Sequence, residues 1–333
     1  MELDFTQAHV VSEWAHDRPL VCCRFDPLGR YVVCGAEDKG VHRFAMADGA
    51  KTSFTGGHDS WVMALAFSKD GNYVMTGGAE GRLVWWEAAA EAPQPARSID
   101  GHKGWIRSMD LSPDGTLLAT AGNDLIVRLW NAADGTLVRE LAGHERHIYC
   151  TAFHPNGQFL MSGDLMGTLK QWNVATGEVV REFDASALHN YNGGQQVDFG
   201  GVRGIAVSPD SKYVAAGGLH KASNPLGSVH EPLVQLFDWE TQEVVKSQIA
   251  EGIARGVIWR LRYLSDGTTL MGACGGADGG FLLFWNAEGE KDVHRFQLPN
   301  LLRDMDLHAD GIHVATAHYD RNVRVTRLAA KGE

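Results

Sequence analysis

The stretch 101–135, GHKGWIRSMDLSPDGTLLATAGNDLIVRLWNAADG, repeats with substitutions the stretch 57–86, GHDSWVMALAFSKDGNYVMTGGAEGRLVWW. Each begins with Gly-His, runs through a segment of alternating character (WVMALAFS, WIRSMDLS), and turns at an Asp-Gly. A short apolar segment follows (NYVMTGG, TLLATAG), then a third segment ending in Trp. Alternation on both sides of a Gly-containing turn reads as a β-hairpin. The turn tripeptides PLG, KDG, PDG, PNG, PDS, SDG and ADG end at Gly29, Gly71, Gly115, Gly157, Ser211, Gly267 and Gly311, 42 to 56 residues apart. Third segments recur as RLVWW, IVRLW, TLKQW, LVQLF and FLLFW, with fourth strands such as TLVREL and EVVREF. Seven units of four short strands, at a period near 40–45 residues, predict the blades of a propeller.

Composition agrees with a folded chain. Of 333 residues, 44% are apolar and 21% charged, close to globular averages. The formal net charge of -11 and the pI near 5.7 disfavour nucleic acid and anionic membranes, which recruit clustered Lys and Arg. The acidic start MELDFTQAHVVSEW has no secretory signal pattern, and no apolar run approaches the ~18 residues of a membrane span. Cys22, Cys23, Cys34, Cys150 and Cys274 are odd in number and show no C-x-x-C spacing, so reduced, packed thiols and a cytoplasmic setting are expected.

With Gly57-His58, Gly101-His102 and Gly143-His144 ahead of the first strands, the chain resembles the WD-repeat β-propeller family over essentially its whole length. The resemblance implies an all-β, seven-bladed propeller of four-stranded antiparallel blades. One domain over 1–333 is expected, with repeats near 16–57, 58–101, 102–143, 144–184, 201–249, 256–298 and 301–328. It also implies a hydrogen-bonded tetrad inside a blade. Unit three carries it as His102, Thr120, Asp124 and Trp130; unit two as His58, Thr76, Trp86 and, in the Asp place, Glu80. Unit one has His16 and Asp38 but Cys34 and Phe44. Unit four has His144, Ser162 and Trp172, with Met166 in the Asp place; units five to seven lack the His, although Thr316 and Asp320 persist. After Thr326 too few residues remain for a fourth strand, and AHVVSE aligns with TLVREL. Residues 7–14 are therefore expected to complete the last blade and remove its open edge.

Two insertions break the regularity. Unit five gains 11 residues within GGLHKASNPLGSVHEPLVQLF, and the connection DASALHNYNGGQQVDFGG before it is also long. Loops on a rigid scaffold are frequent binding sites; drift of a tolerated surface loop is the plainer reading. A second candidate surface lies at the starts of the first strands. Beside the apolar residues nine positions ahead of each turn stand Trp61 and Met63, Trp105 and Arg107, His147 and Tyr149, Arg203, Trp259 and Arg303. In propellers similar to the G-protein β subunit, such positions contact partners. Aromatic residues beside arginines suit a binding hot spot, and the arginines suit carboxylate or phosphate on the partner. Packing between blades is the alternative for Trp61 and Trp105.

The chain contains no G-x-x-x-x-G-K-[ST], G-x-G-x-x-G or G-x-S-x-G, so catalytic residues and cofactors are expected to be none. HERH at 144–147 lacks the H-E-x-x-H spacing and is not helical. His189, His220, His230 and Glu231 lie in the insertions and have zinc-compatible chemistry, but solvated loop histidines explain them, and no metal site is expected. The leading expectation is a non-enzymatic, monomeric scaffold that meets a protein partner. The alternative is an enzyme whose site is built from the long loops of units four to six.

Overall fold

The computed structural model describes residues 2–224 and 229–331 of the chain. Seven four-stranded antiparallel sheets, the blades of a β-propeller, follow one another. Blades 1 to 6 span 20–54, 62–100, 106–142, 148–184, 204–249 and 257–298, and blade 7 takes 302–327. Blade 7 has only three strands in sequence. Its fourth is the N-terminal strand His9–Ala15, which pairs antiparallel with Asn322–Arg327 from His9↔Arg327 to Ala15↔Asn322. The chain's first strand thus covers the edge that its last strand would otherwise expose.

The turn glycines have a plain physical reason. Gly29, Gly71, Gly115, Gly157, Gly267 and Gly311 all sit at φ between 70° and 82°, where an L side chain is strained. In blade 5 the same place is held by Ser211 at φ 62°.

Residues pack into two compact units. One comprises 1–124, 128–139 and 303–333, the other 125–127 and 140–302. In the first, Cys23, Cys34 and Phe44 of blade 1 pack with Ala315, Val323 and Val325 of blade 7, while Cys22 and Val33 face Val62, Leu65 and Trp86 of blade 2. Arg24 and Asp304 form a buried ion pair at 2.6 Å between blades 1 and 7. In the second unit, Met161, Phe183 and Leu188 pack with Val214 and Phe237, and Ala215 and Val234 with Ile258, Leu261 and Trp285. Fully buried Trp and Phe side chains each remove a large apolar area from water, at roughly 25 cal/mol per Å². All five cysteines are buried free thiols.

Both insertions lie in the second unit. The first forms a hairpin, His189–Asn192 with Val197–Gly200. The second extends the middle strands of blade 5 to Tyr213–Asn224 and Val229–Asp238. They approach closely, for a Cβ at Gly218 would run into the Gly201 carbonyl. The tip of the second insertion, 225–228, lies outside the described residues.

Candidate functional site

The first strands carry a local device at their starts. In blades 1, 2, 3, 4 and 6 the pairing of first and second strands slips by one residue, leaving Val21, Met63, Arg107, Tyr149 and Trp259 unpaired in the ladder. A β-bulge of this kind re-aims the extra side chain out of the alternating pattern. Four of the five bulged residues belong to the strand-start set read from the sequence.

In the first unit, Trp61 and Trp105 are 40% and 36% exposed, with ring centroids 6.3 Å apart. The Arg107 guanidinium lies 4.7 Å from the Trp105 ring, and its Nε donates to Asn123 Oδ1 at 2.6 Å. Met63 is half-buried beside them in sequence. Arg303 is committed differently: it donates to Glu37 Oε1 at 2.7 Å and lies over Tyr319. In the second unit, Arg203 sits 3.6 Å from the Tyr149 ring centroid and 5.6 Å from that of Trp259. Its Nε donates to the Gly200 carbonyl at 2.9 Å, and among the described residues no carboxylate pairs with it. Burial holds its pKa below the usual arginine value. Trp259 donates to the Gly275 carbonyl, and His147 is half-buried. Glu37, Asn123 and Tyr319, which hold these arginines, carry no signal of that role in the sequence.

Inside the blades, polar groups are joined in chains. In blade 3, Trp130 Nε1 donates to Thr120 Oγ1 at 2.8 Å. The hydroxyl lies 2.7 Å from His102 Nε2, and His102 Nδ1 lies 2.9 Å from Asp124. Blade 2 repeats this with Trp86, Thr76, His58 and Glu80 at 2.9, 2.7 and 2.6 Å. Blade 4 corrects the sequence reading. His144 Nδ1 meets Asp164 at 2.8 Å, so the acidic member is present, two residues ahead of Met166, alongside Ser162 and Trp172. Asp164 reaches the histidine while its other oxygen accepts the backbone N–H groups of Met166 and Thr168, so one carboxylate caps the turn and completes the chain. In blade 7, Thr316 bonds His318 of its own strand, and Asp320 pairs with Arg324, which also donates to Glu13 of the N-terminal strand.

Blade 1 differs again. His16 turns Nε2 toward Asp38 at 2.8 Å, and His42 Nε2 approaches the other Asp38 oxygen at 3.1 Å. Burial, then the neighbouring His16, pushes His42 down to about 4. Burial acts to raise Asp38, but hydrogen bonds from His42, Gly40 and His16 bring it down to about 2. The four insertion residues are not gathered around one point. His189 pairs with Asp198 and His230 with the Gly256 carbonyl, while His220 and Glu231 face each other at 3.4 Å.

Repeated four-stranded blades, each with a buried aromatic-hydroxyl-imidazole-carboxylate chain where complete, define a repeat propeller. The WD domain, G-beta repeat family matches residues 8–43, 50–87, 93–131 and 135–173, four WD repeats in a chain that folds as a seven-bladed β-propeller. It is similar to Echinoderm microtubule-associated protein-like 3 of Homo sapiens, 31% identical over 97 residues, covering 28% of this chain and 11% of that protein. The Mus musculus counterpart is 29% identical over 92 residues, covering 26% and 10%. The chain spans about a tenth of the length of these curated relatives. Among the described residues no helix is long and apolar enough to cross a membrane.

Proposed function

We propose that the chain is a non-enzymatic scaffold, acting as one propeller domain, that presents its first-strand starts to a protein partner. The observation that carries this reading is the pair Trp61 and Trp105, two large aromatic rings tilted against each other beside Arg107 yet more than a third exposed. Exposed Trp beside Arg is the composition of interface hot spots, and such rings lose little conformational entropy on binding. Met63, His147, Tyr149, Arg203, Trp259 and Arg303 extend the proposed binding set. Arg203, half-buried against aromatic faces without a carboxylate, favours an acidic group on the partner. Arg303 already holds Glu37 and contributes less to charge recognition. Reduced, buried thiols support a cytoplasmic setting.

The test is binding by wild type against a folded Trp61→Ala/Trp105→Ala/Arg107→Ala variant. Partners are captured from soluble lysate and, following the name of the similar proteins, co-sedimentation with microtubules is measured separately. A stoichiometric protein that binds wild type and is lost by the variant supports the reading. Equal capture by both moves the site away from these residues.

A further inference from the structure

Blade 1 has the histidine and carboxylate of the other blades without their hydroxyl and indole, since Cys34 and Phe44 stand in those places. His16 accordingly presents its other nitrogen to the carboxylate, and its Nδ1 is left buried with no hydrogen-bond partner. A second imidazole, His42, lies tilted against it with centroids 3.7 Å apart. The ligand atoms of His16, Asp38 and His42 all lie within 4.8 Å of one another.

The residue in the place of His42 is informative. Two positions ahead of Trp130 and Thr326, blades 3 and 7 carry Arg128 and Arg324, each pairing with the local carboxylate at 2.7 Å. Those aspartates are balanced by guanidinium, which is never neutral in a protein. Asp38 is faced by two imidazoles, which are good ligands for a cation when neutral. Asp17 and Lys51 are the other charged groups that act on His16.

We propose that His16, Asp38 and His42 form a binding site for a divalent transition-metal cation of the zinc class. Two imidazole nitrogens and one carboxylate oxygen make a borderline donor set, suited to zinc rather than to calcium or magnesium, which take oxygen ligands. The surroundings hold the ligands in place. His42 Nδ1 is 3.0 Å from Ser53 Oγ, and the Gly40 N–H donates to Asp38 Oδ1 at 3.0 Å. Outer partners of this kind fix ring orientation and ligand basicity. Gly40 is also required sterically, because a Cβ there would lie 2.6 Å from His42 Nε2. The histidine side chains are 3% and 4% exposed but that of Asp38 is 29%, so the carboxylate opens the cluster to solvent.

The experiment is calorimetric titration of chelator-treated full chain with zinc chloride. The visible spectrum of the cobalt(II) form is recorded alongside. A second His/Asp group, His308, Asp310 and His313, lies in the described residues and is removed in a His308→Ala/His313→Ala control. Expected are one tight zinc per chain in wild type and in that control, and an intense visible band from four-coordinate cobalt. Affinity should fall at least about 100-fold in His42→Gln and in Asp38→Asn. Absence of binding at micromolar zinc, loss of binding in the His308→Ala/His313→Ala control, or retention in Asp38→Asn overturns the proposal. If His42→Gln does not fold, Asp38→Asn and the control decide between these results.

Discussion

His144 meets its carboxylate partner, Asp164, 20 residues on, whereas His16, His58 and His102 each meet theirs after 22. The chemistry is kept while the backbone position supplying it moves. Asp164→Ala therefore strands the buried His144 Nδ1 and two turn amides, and should cost about 1–3 kcal/mol. Met166→Ala should cost less than half of that in the same urea titration. Equal losses would remove Asp164 from the chain.

Ser211 holds the left-handed turn position that glycine occupies in the six other blades. An L residue there costs about 1–2 kcal/mol, partly offset by the larger unfolded-state freedom of glycine. Ser211→Gly is expected to raise stability by about 0.5–1 kcal/mol, seen as a higher melting temperature. An unchanged or lower value would show that the turn is not strained.

Asp304 and Arg24 are both nearly excluded from solvent, and Asp304 also accepts the Cys23 N–H. Breaking a buried pair by removing one partner typically costs about 3–5 kcal/mol, because the remaining charge is stranded. Asp304→Asn should produce a loss of that order in chemical denaturation. A loss under 1 kcal/mol would mean that solvent reaches the pair.

His154 takes the place of Ser68, Ser112 and Ser208 in its turn. Its Nδ1 accepts the Asn156 N–H, its Nε2 is buried without a partner, and its ring packs 4.4 Å from that of Trp239. Burial, with Arg181 acting the same way, lowers its pKa. The unfolded chain thus binds this proton more readily. Its contribution to stability is intact above the unfolded value near 6.5 and is lost as pH falls below it, until the folded pKa is passed. His154→Ser should shrink the fall in melting temperature between pH 7.5 and 5.5 relative to wild type. An equal fall would assign the sensitivity to other histidines.

Deleting residues 2–15 uncovers the edge of Asn322–Arg327 and leaves Arg324 without Glu13. The expected result is a lower melting temperature together with self-association on size-exclusion chromatography. A monomer of unchanged stability would show that the pairing is dispensable.

The blades were legible because each unit carries its own punctuation. Turn glycines at fixed distance from a closing Trp or Phe require no knowledge of distant contacts. The covering of blade 7 by the N-terminal strand was legible for a related reason, since a missing fourth strand and a surplus first one complement each other. Asp164 was not legible, because fixed spacing placed Met166 in its role, and only the folded turn shows a carboxylate reaching back to His144. His42 escaped notice too. It sits on a third strand where other blades carry Arg128, Lys170 or Arg324, and its meeting with His16 depends on side-chain direction across two strands. At the strand starts, residue identities were readable. The bulges that set Met63, Arg107, Tyr149 and Trp259 apart from the alternating pattern were not.

The pairing of His9–Ala15 with Asn322–Arg327 also sets a clock on biosynthesis. The first strand leaves the ribosome about 300 residues before its partner, a delay on the order of 15–60 s at ~5–20 residues per second. Throughout that interval its backbone donors and acceptors have water, a chaperone or another nascent chain as alternatives to the native strand. Blades 1 to 6 can form during translation, while the seventh must wait for its last strand to emerge, which makes the newborn chain most vulnerable to mispairing with its neighbours on a polysome.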